Sequence, residues 1–436
     1  MNDNQDTIFA PSSAVGGAIA VLRISGPEAR RAETILSKPI TAQPGRLLYV
    51  HAKEGEELLD DCMAVWFPAP HSYTGEDMVE INCHGGPQTV RRMLQALEDL
   101  GFRPAEGGEF TRRAFFNGKM DLTQAEAVMD LINATADRSR RTALSQLNGS
   151  VSRMIKEAED YLLDALSGID AALDYPEEAE QDAYRDLPIQ ISQAERCLDK
   201  LIAGGEKGIF LREGLKVCIL GRPNVGKSSI LNALIGQDRA IVTANAGTTR
   251  DILEECISIE GVPIRLVDTA GIREAKDEAE QIGIARAKTA AEMADLLLIV
   301  VDGSSRLSAE DEELIGLLRN KEGFVLLNKC DLGETVQIES GIRTSAKTGE
   351  GLDRVCGMIV EKTGMAENDS DMITNARHLH LLRAALSALK DAETETELDC
   401  IAIDLRDALH DLGMITGHDV DAEVIDRIFE RFCVGK

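Results

Sequence analysis

Five stretches of this chain set glycines and polar side chains at the spacing that phosphate and base recognition require. In "GRPNVGKSS", Gly221, Gly226, Lys227 and Ser228 follow the pattern G-x-x-x-x-G-K-S. Glycines let the main chain turn its amides toward phosphate oxygens, Lys227 adds a point charge, and the Ser228 hydroxyl reaches magnesium. In "AGTTRD", Thr249 offers magnesium a second hydroxyl from a loop able to sense a terminal phosphate. "IRLVDTAG" ends on Asp268 and Gly271, a carboxylate behind the metal and an amide facing phosphate. "GFVLLNKCD" presents Asn328, Lys329 and Asp331, and "RTSAK" presents Ser345, Ala346 and Lys347 as a further base-contacting loop. The Asp331 carboxylate can accept a pair of hydrogen bonds from the guanine edge. Adenine cannot supply them and would leave the acid unpaired, so GTP is the expected nucleotide. The neighbouring loop positions Val225, Ser229, Ala244, Ala246, Gly247, Thr269 and Ala270 complete the expected GTP-binding set.

The elements around these residues have the form that such a site needs. "LKVCIL" reads as an apolar strand before the glycine loop and "ILNALIG" as an amphipathic helix after it. The other stretches also sit at the ends of strand-like runs, which makes a chance glycine-rich loop a poor account of the set. One part is missing: Ile272 follows "DTAG" where many GTPases place a water-orienting glutamine. The acidic loop "REAKDEAEQIG" offers Glu274, Asp277, Glu278 and Glu280, which on spacing alone read as solvated surface charges.

Outside this region the period of the sequence changes. Up to about residue 118, "GAIAVLRIS", "RLLYVHA", "DCMAVWFP" and "DMVEINC" are short strand-like runs, followed by an amphipathic helix in "QTVRRMLQALEDLG" that Gly101 stops. Leu144, Leu147, Val151, Met154, Ala158, Leu162, Ala165, Ile169 and Ala172 give one apolar stripe on a long helix. After an acidic break, "YPEEAEQDAYRD", a second helix carries Ile191, Ala194, Leu198 and Leu201. Leu398, Ile401, Leu405, Ala408 and Leu412 repeat the spacing, and Val424, Ile428 and Phe432 add one more helix. The chain is expected to be multidomain: an α+β N-terminal domain over 1–118, a discontinuous α-helical domain over 119–211 and 367–436, and an α/β P-loop domain over 212–366 inserted in it. Independent helical bundles are the alternative.

Composition sets outer bounds. A chain of 436 residues exceeds one compact core, and 44% hydrophobic with 28% charged residues describes a soluble globular protein. The longest apolar run, "LLLIVV", is too short to cross a bilayer, and the acidic start "MNDNQD" gives no expectation of export. Nine cysteines without C-x-x-C spacing argue against a disulfide framework or zinc ribbon and fit a reducing cytosol. A net charge of −28 argues against wrapping nucleic acid without a basic partner or patch. "NCHGGP" offers Cys83 and His84 as a metal or nucleophile pair, but the glycines and proline favour a strand-to-helix turn. In the terminal "RFCVGK", Gly435 and Lys436 stand where a prenyl box would carry aliphatic and variable residues, which disfavours a lipid anchor on Cys433. A zinc ligand, a nucleophile and an ordinary buried cysteine stay open from the residues alone.

Taken together, these residues resemble the tRNA modification GTPases called MnmE or TrmE over essentially the whole chain. The resemblance covers an N-terminal domain, a helical domain split by a G domain, and a C-terminal C-[ILV]-G-K. It implies potassium beside the phosphates, held by Asn224, Thr243, Asn245 and Thr248, where it would act as an arginine finger does elsewhere. It implies that Glu280 is the catalytic, water-orienting residue, reversing the surface-charge reading there, and that G-domain dimerisation assembles the site. Folate contacts fall on Arg23, Glu80 and Lys119, with Cys433 near the transferred one-carbon unit and Lys436 beside it. For Cys433, nucleophilic and non-covalent roles both stay open. Gly118 and Val434 are conservative departures from the family pattern, and Cys330 falls at a variable position. The implied protein is a cytoplasmic homodimer without membrane association, a GTPase using magnesium and potassium. With an MnmG-type FAD-dependent protein, in a heterotetramer, it would add an aminomethyl or carboxymethylaminomethyl group to carbon five of the wobble uridine of certain tRNAs. Methylene- or formyl-tetrahydrofolate would supply the carbon, and ammonium or glycine the amine. The rival is a ribosome-assembly switch of the Era or EngA kind, which would carry a basic RNA-binding module or tandem G domains. A folate enzyme with a vestigial G domain is disfavoured because all five nucleotide stretches are intact.

Overall fold

The computed structural model describes residues 6–237, 255–267, 289–333, 335–336, 338–364 and 372–436. They fall into two compact units: Met1–Met129 with Gly413–Lys436, and Asp130–Leu412.

In the first unit, strands β1 (Ile8–Pro11), β2 (Ile19–Ser25), β3 (Leu48–Glu54), β4 (Glu57–Phe67), β5 (Met78–His84) and β6 (Arg103–Pro104) form one sheet in the order β3-β4-β5-β2-β1-β6. Only β1 and β6 pair in parallel. Alternation along β2 sends Ala20, Leu22 and Ile24 into a core with Val79, Ile81 and Cys83 of β5 and with Val90, Met93 and Leu97 of helix α1 (Pro87–Asp99). Arg23, between Leu22 and Ile24, therefore stands on the other face. That face meets helix α2 (Glu109–Phe116), where Ile8, Ala10, Ala105 and Phe110 cluster with Tyr73.

Helices α3 (Leu122–Asn133), α4 (Asp137–Leu147), α5 (Ser150–Asp174) and α6 (Pro176–Glu213) follow. The single stripe expected from Leu144 to Ala172 is cut at Gly149, whose φ of +78° ends α4 and starts α5. Leu144 is exposed and Met154 half-buried, because the buried face of α5 runs through Val151, Ile155, Ala158, Leu162, Ala165, Ile169 and Ala172. The acidic stretch expected to break the helices is itself helical, since Pro176 takes the first position of α6, where its missing amide hydrogen costs nothing.

Strands β7 (Leu215–Leu220), β8 (Glu255–Ile259), β9 (Val262–Val267), β10 (Leu296–Asp302), β11 (Gly323–Asn328) and β12 (Ile342–Arg343) form the second sheet, ordered β12-β11-β10-β7-β9-β8. All its pairs are parallel except β8 with β9. Helices α7 (Lys227–Gln237), α8 (Ala309–Gly316) and α9 (Leu352–Lys362) belong to this domain, and apolar clusters lie on both sheet faces. Central β10 is buried on both sides, which is why it reads as a continuous apolar run.

The chain then returns to helices α10 (Ala376–Thr394) and α11 (Leu398–Thr416). Helix α10 had no counterpart in the sequence reading, although Asn375 caps it by accepting from the Arg377 amide at 3.0 Å. It packs on α6: a Cβ placed on Gly208 would lie 2.2 Å from the Ile373 carbonyl, and Arg383 bonds Glu206 at 2.6 Å. Helices from both sides of the inserted sheet thus share one frame. In the last helix, α12 (Ala422–Phe429), Ile425 and Phe429 are buried rather than Val424 and Ile428. With Phe432 they meet Leu122 and Ala125 in the first unit. No helix among the described residues is long and apolar enough to cross a membrane.

Candidate nucleotide site and tail site

The loops that follow β7, β10, β11 and β12 gather at the carboxyl edge of the second sheet, the edge where parallel α/β sheets bind ligands. Close packing explains the two motif glycines. A Cβ on Gly221 would lie 2.3 Å from the Val300 carbonyl, and one on Gly226 would lie 2.2 Å from Asn328 Nδ2. Asn224, exposed in the same loop, has a φ of +64°, a left-handed conformation that asparagine tolerates. Lys227 Nζ donates to the Gly221 and Arg222 carbonyls at 2.6 and 2.8 Å, and burial pushes its pKa below the usual lysine range. Ser228 and Ser229 are exposed in the first turn of α7, at the positive end of its helix dipole. This cradle, an amide-rich turn with a half-buried cation, fits a phosphate chain.

Asn328 bonds to two loops. Its Nδ2 donates to the Val225 carbonyl at 2.8 Å and its Oδ1 accepts from the Ala346 amide at 3.1 Å. It therefore ties the glycine loop to the loop of Ser345 and Ala346. Asp331 Oδ1 accepts from Ser345 Oγ at 2.7 Å, which fixes the carboxylate's orientation at the exposed edge, while Lys347 is exposed beyond it. Lys329, at φ +64°, donates to Asp302 Oδ2 at 2.6 Å. Burial works to raise the Asp302 pKa, but bonds from Lys329 and Ser304 hold it below the ordinary value.

Asp302, Arg222 and Asp311 were not singled out in sequence. Asp302 ends β10 opposite Asn328 in register, a position that strand pairing alone would have suggested. Arg222 Nε donates to Asp311 Oδ1 at 2.8 Å, and Asp311 is 1% exposed. The same carboxylate accepts from the Ser308 amide and hydroxyl at the start of α8, so the glycine loop is pinned to that helix cap. Thr243, Ala244, Asn245, Ala246, Gly247, Thr248, Thr249, Asp268, Thr269, Ala270, Gly271 and Glu280 lie outside the described residues.

In the first unit, Arg23 and Glu80 are cross-strand partners in register. Arg23 Nε and Nη2 donate to Glu80 Oε1 at 3.0 and 2.9 Å, and the guanidinium stacks on the Tyr73 ring at 5.0 Å. Lys119 Nζ donates to the Pro70 carbonyl at 3.0 Å, in the segment that carries Tyr73. The tail comes to the neighbouring strand. Val434 bridges to Gly107, the Gly108 amide donates to the Cys433 carbonyl at 3.3 Å, and a Cβ on Gly435 would lie 2.1 Å from the Pro11 carbonyl. Pro11 follows Ala10, the β1 register partner of Arg23. Cys433 is exposed and Lys436 half-buried. A carboxylate suits the donor edge of a pterin and cations suit its acidic tail, so this donor set is chemically suited to a folate.

Sequence reading missed a charge network on the same sheet face. Arg113, nearly buried, donates to Asp6 Oδ1 at 2.6 Å and Glu109 Oε1 at 2.9 Å and is ion-paired with Glu76 at 3.3 Å. Arg103 joins Glu109 at 2.6 Å, and Ser25 Oγ donates to Glu76 at 2.7 Å. Burial acts to raise the Glu109 pKa, yet Arg103, the Glu106 amide and Arg113 hold it low. Cys83 faces the core, where burial pushes its thiol up to about 11, and His84 bonds Asp60 at 2.7 Å.

A glycine-loop α/β domain with an oriented carboxylate at its base-recognition edge, set within a helical frame, defines a guanine-nucleotide-binding protein of the P-loop class. The pattern of the family described as "MnmE helical domain" matches residues 122–433, and that of "GTP-binding protein TrmE N-terminus" matches 7–119. The tRNA modification GTPase MnmE of Natranaerobius thermophilus is 41% identical, covering 99% of this chain and 100% of its own. That of Lactococcus lactis subsp. cremoris is 44% identical, covering 99% and 98%. The G domain of the T. maritima FeoB iron transporter is 25% identical over 35% of this chain and 99% of its own, with a TM-score of 0.26. The chain belongs to the MnmE family of tRNA modification GTPases.

Proposed function

We propose that the chain is a potassium-dependent GTP hydrolase that modifies tRNA. It works as a homodimer and, with an MnmG-type FAD-dependent protein in a heterotetramer, adds an aminomethyl or carboxymethylaminomethyl group to carbon five of a wobble uridine. Residues 1–118 bind folate and dimerise, 119–211 and 367–436 are the helical domain, and 212–366 are the G domain. The observation that carries the reading is the arrangement at one sheet edge of Lys227, Asn328 and the Asp331–Ser345 pair.

Asp331, oriented by Ser345, accepts from the guanine edge. Asn328 keeps the base loop and the phosphate loop in register. Lys227 exchanges its loop carbonyls for phosphate oxygens, and Ser228 and Thr249 supply the hydroxyls for magnesium. Asn224, Thr243, Asn245 and Thr248 would hold potassium, which would offset the negative charge developing on the phosphates. Glu280 orients the attacking water. Arg23, Glu80, Lys119 and Lys436 hold the folate, with Cys433 beside them. Methylene- or formyl-tetrahydrofolate, when bound there, would supply the one-carbon unit. The net charge of −28 supports a division of labour in which the flavoprotein carries most of the tRNA affinity.

The test is GTP turnover in potassium and in sodium, wild type beside Glu280→Ala. Turnover should fall in sodium and fall by about a hundredfold or more in the variant. Equal rates in both salts would remove the cation assignment, and an active variant would move catalysis elsewhere. tRNA from cells lacking the protein should lose the wobble substituent; intact nucleosides would leave a GTPase switch.

A further inference from the structure

The turn between β8 and β9 does more than reverse the chain. Glu260 and Gly261 have φ values of +49° and +80°. Positive φ at both central residues marks a two-residue hairpin turn that normally takes asparagine or aspartate with glycine. A glutamate held in this conformation costs about 1 kcal/mol. What the geometry achieves is a pair of aimed carbonyls. The Gly261 carbonyl accepts from the Arg138 amide at 3.1 Å, and the Glu260 carbonyl accepts from Arg138 Nε, also at 3.1 Å. A Cβ on Gly261 would lie 3.1 Å from Arg138 Cγ, so turn and side chain are in direct contact.

Helix α4 lacks a cap of its own. Its N-cap residue is Ala136, with no side-chain bond to the first turn. An unpaired amide of that turn is satisfied instead by the β8–β9 turn of the nucleotide domain. The next residue, Ser139, donates through Oγ to the Leu211 carbonyl at 2.7 Å, at the end of α6 and just before β7. The first turn of α4 is thus bonded to both the helix that leads into the nucleotide domain and a hairpin within that domain.

Strand β9 pairs with β7 from Leu215↔Ile264 to Cys218↔Val267. One end of β9 is the turn on α4; at the other, Val267 is followed in the chain by Asp268. Its six residues span about 20 Å as a paired strand, long and stiff enough to carry displacement from one end to the other. We propose that the Glu260–Gly261 turn and Arg138 couple β9 to the helical frame, with Arg138 as a positioning residue through which nucleotide state sets the order of the first turn of α4. This rests on GTP binding as proposed above.

The test is hydrogen exchange on the full chain with GDP or with a non-hydrolysable GTP analogue. In the wild type, exchange at residues 137–141 should differ between the nucleotides by about threefold or more. Arg138→Ala should reduce that difference to less than about twofold while GTP turnover and GDP affinity stay within about twofold of wild type. A passive structural contact would shift exchange equally in both nucleotide states. Equal wild-type exchange at 137–141 with both nucleotides, alongside a clear response in α7, would overturn the coupling, and this comparison needs no variant. No response in α7 either would remove the GTP reading and the coupling with it.

Discussion

Arg222 and Asp311 show how a residue outside every recognised pattern can set the geometry of one inside it. Asp311 is 1% exposed and Arg222 Nε bonds it at 2.8 Å, so Arg222 ties the glycine loop to a carboxylate that water does not reach. Burial works to raise the Asp311 pKa, but the Arg222 bond and the Ser308 contacts prevail and leave it below its ordinary value. A carboxylate with a depressed folded pKa contributes stability above the unfolded value, near ~3.9, and loses it as pH falls through the folded value. Arg222→Ala should cost about 1–2 kcal/mol at neutral pH, discounted because Arg222 reaches solvent. The gap from wild type, measured by urea denaturation, should close as pH falls below the unfolded value and Asp311 becomes protonated. A gap independent of pH would mean that Arg222 acts through packing. Lys227 and Asp331 were legible in sequence because the chemistry dictates their local spacing. Arg222, Asp311 and Asp302 were not, because their partners lie 89 and 27 residues away and only folding brings them together.

At the scale of elements, alternation identified β2 to β5, since one face of each meets a core and the other does not. It missed β1 and β6, which are too short to establish a period. It also ran α4 into α5, because a helical stripe continues in sequence through a glycine that reverses the backbone locally. The tail was read by resemblance, and its placement has a local cause. Phe429 and Phe432 pack with tilted rings 5.1 Å apart and anchor the end of α12, while the residues beyond lie against backbone. Gly435 has a φ of +95° and no room for a Cβ beside the Pro11 carbonyl. Gly435→Ala should therefore lift the tail from β1 and leave α12 in place, for a loss on the order of 1 kcal/mol. Exchange at the Gly108 amide, which donates to Cys433, should rise severalfold while α12 amides keep their protection. Equal loosening of α12 would show that the tail and the aromatic anchor form one cooperative piece.

For the molecule as a whole, the main consequence of the architecture is that the nucleotide domain enters and leaves the helical frame at nearly the same place. Gly208 of α6 touches Ile373 ahead of α10, and Gly205 packs on Ile373 and Leu379. Gln146 of α4 donates to both the Met372 carbonyl and Thr374 Oγ1, closing the frame without help from the inserted sheet. The last turn of α6 beyond Gly208 adds about 8 Å, which a flexible linker of roughly six residues can return. Replacing residues 214–371 by such a linker should leave a folded protein, since shortening a loop lowers its closure entropy. Far-ultraviolet circular dichroism should retain the helices, and thermal melting should stay cooperative. The first turn of α4 is the expected exception: without the Gly261 carbonyl the Arg138 amide has no cap, so exchange there should rise while α5 and α6 keep theirs. Loss of cooperative melting would mean that the frame cannot stand without its insertion. A protected α4 start in the shortened chain would mean that the hairpin contact does not order that helix.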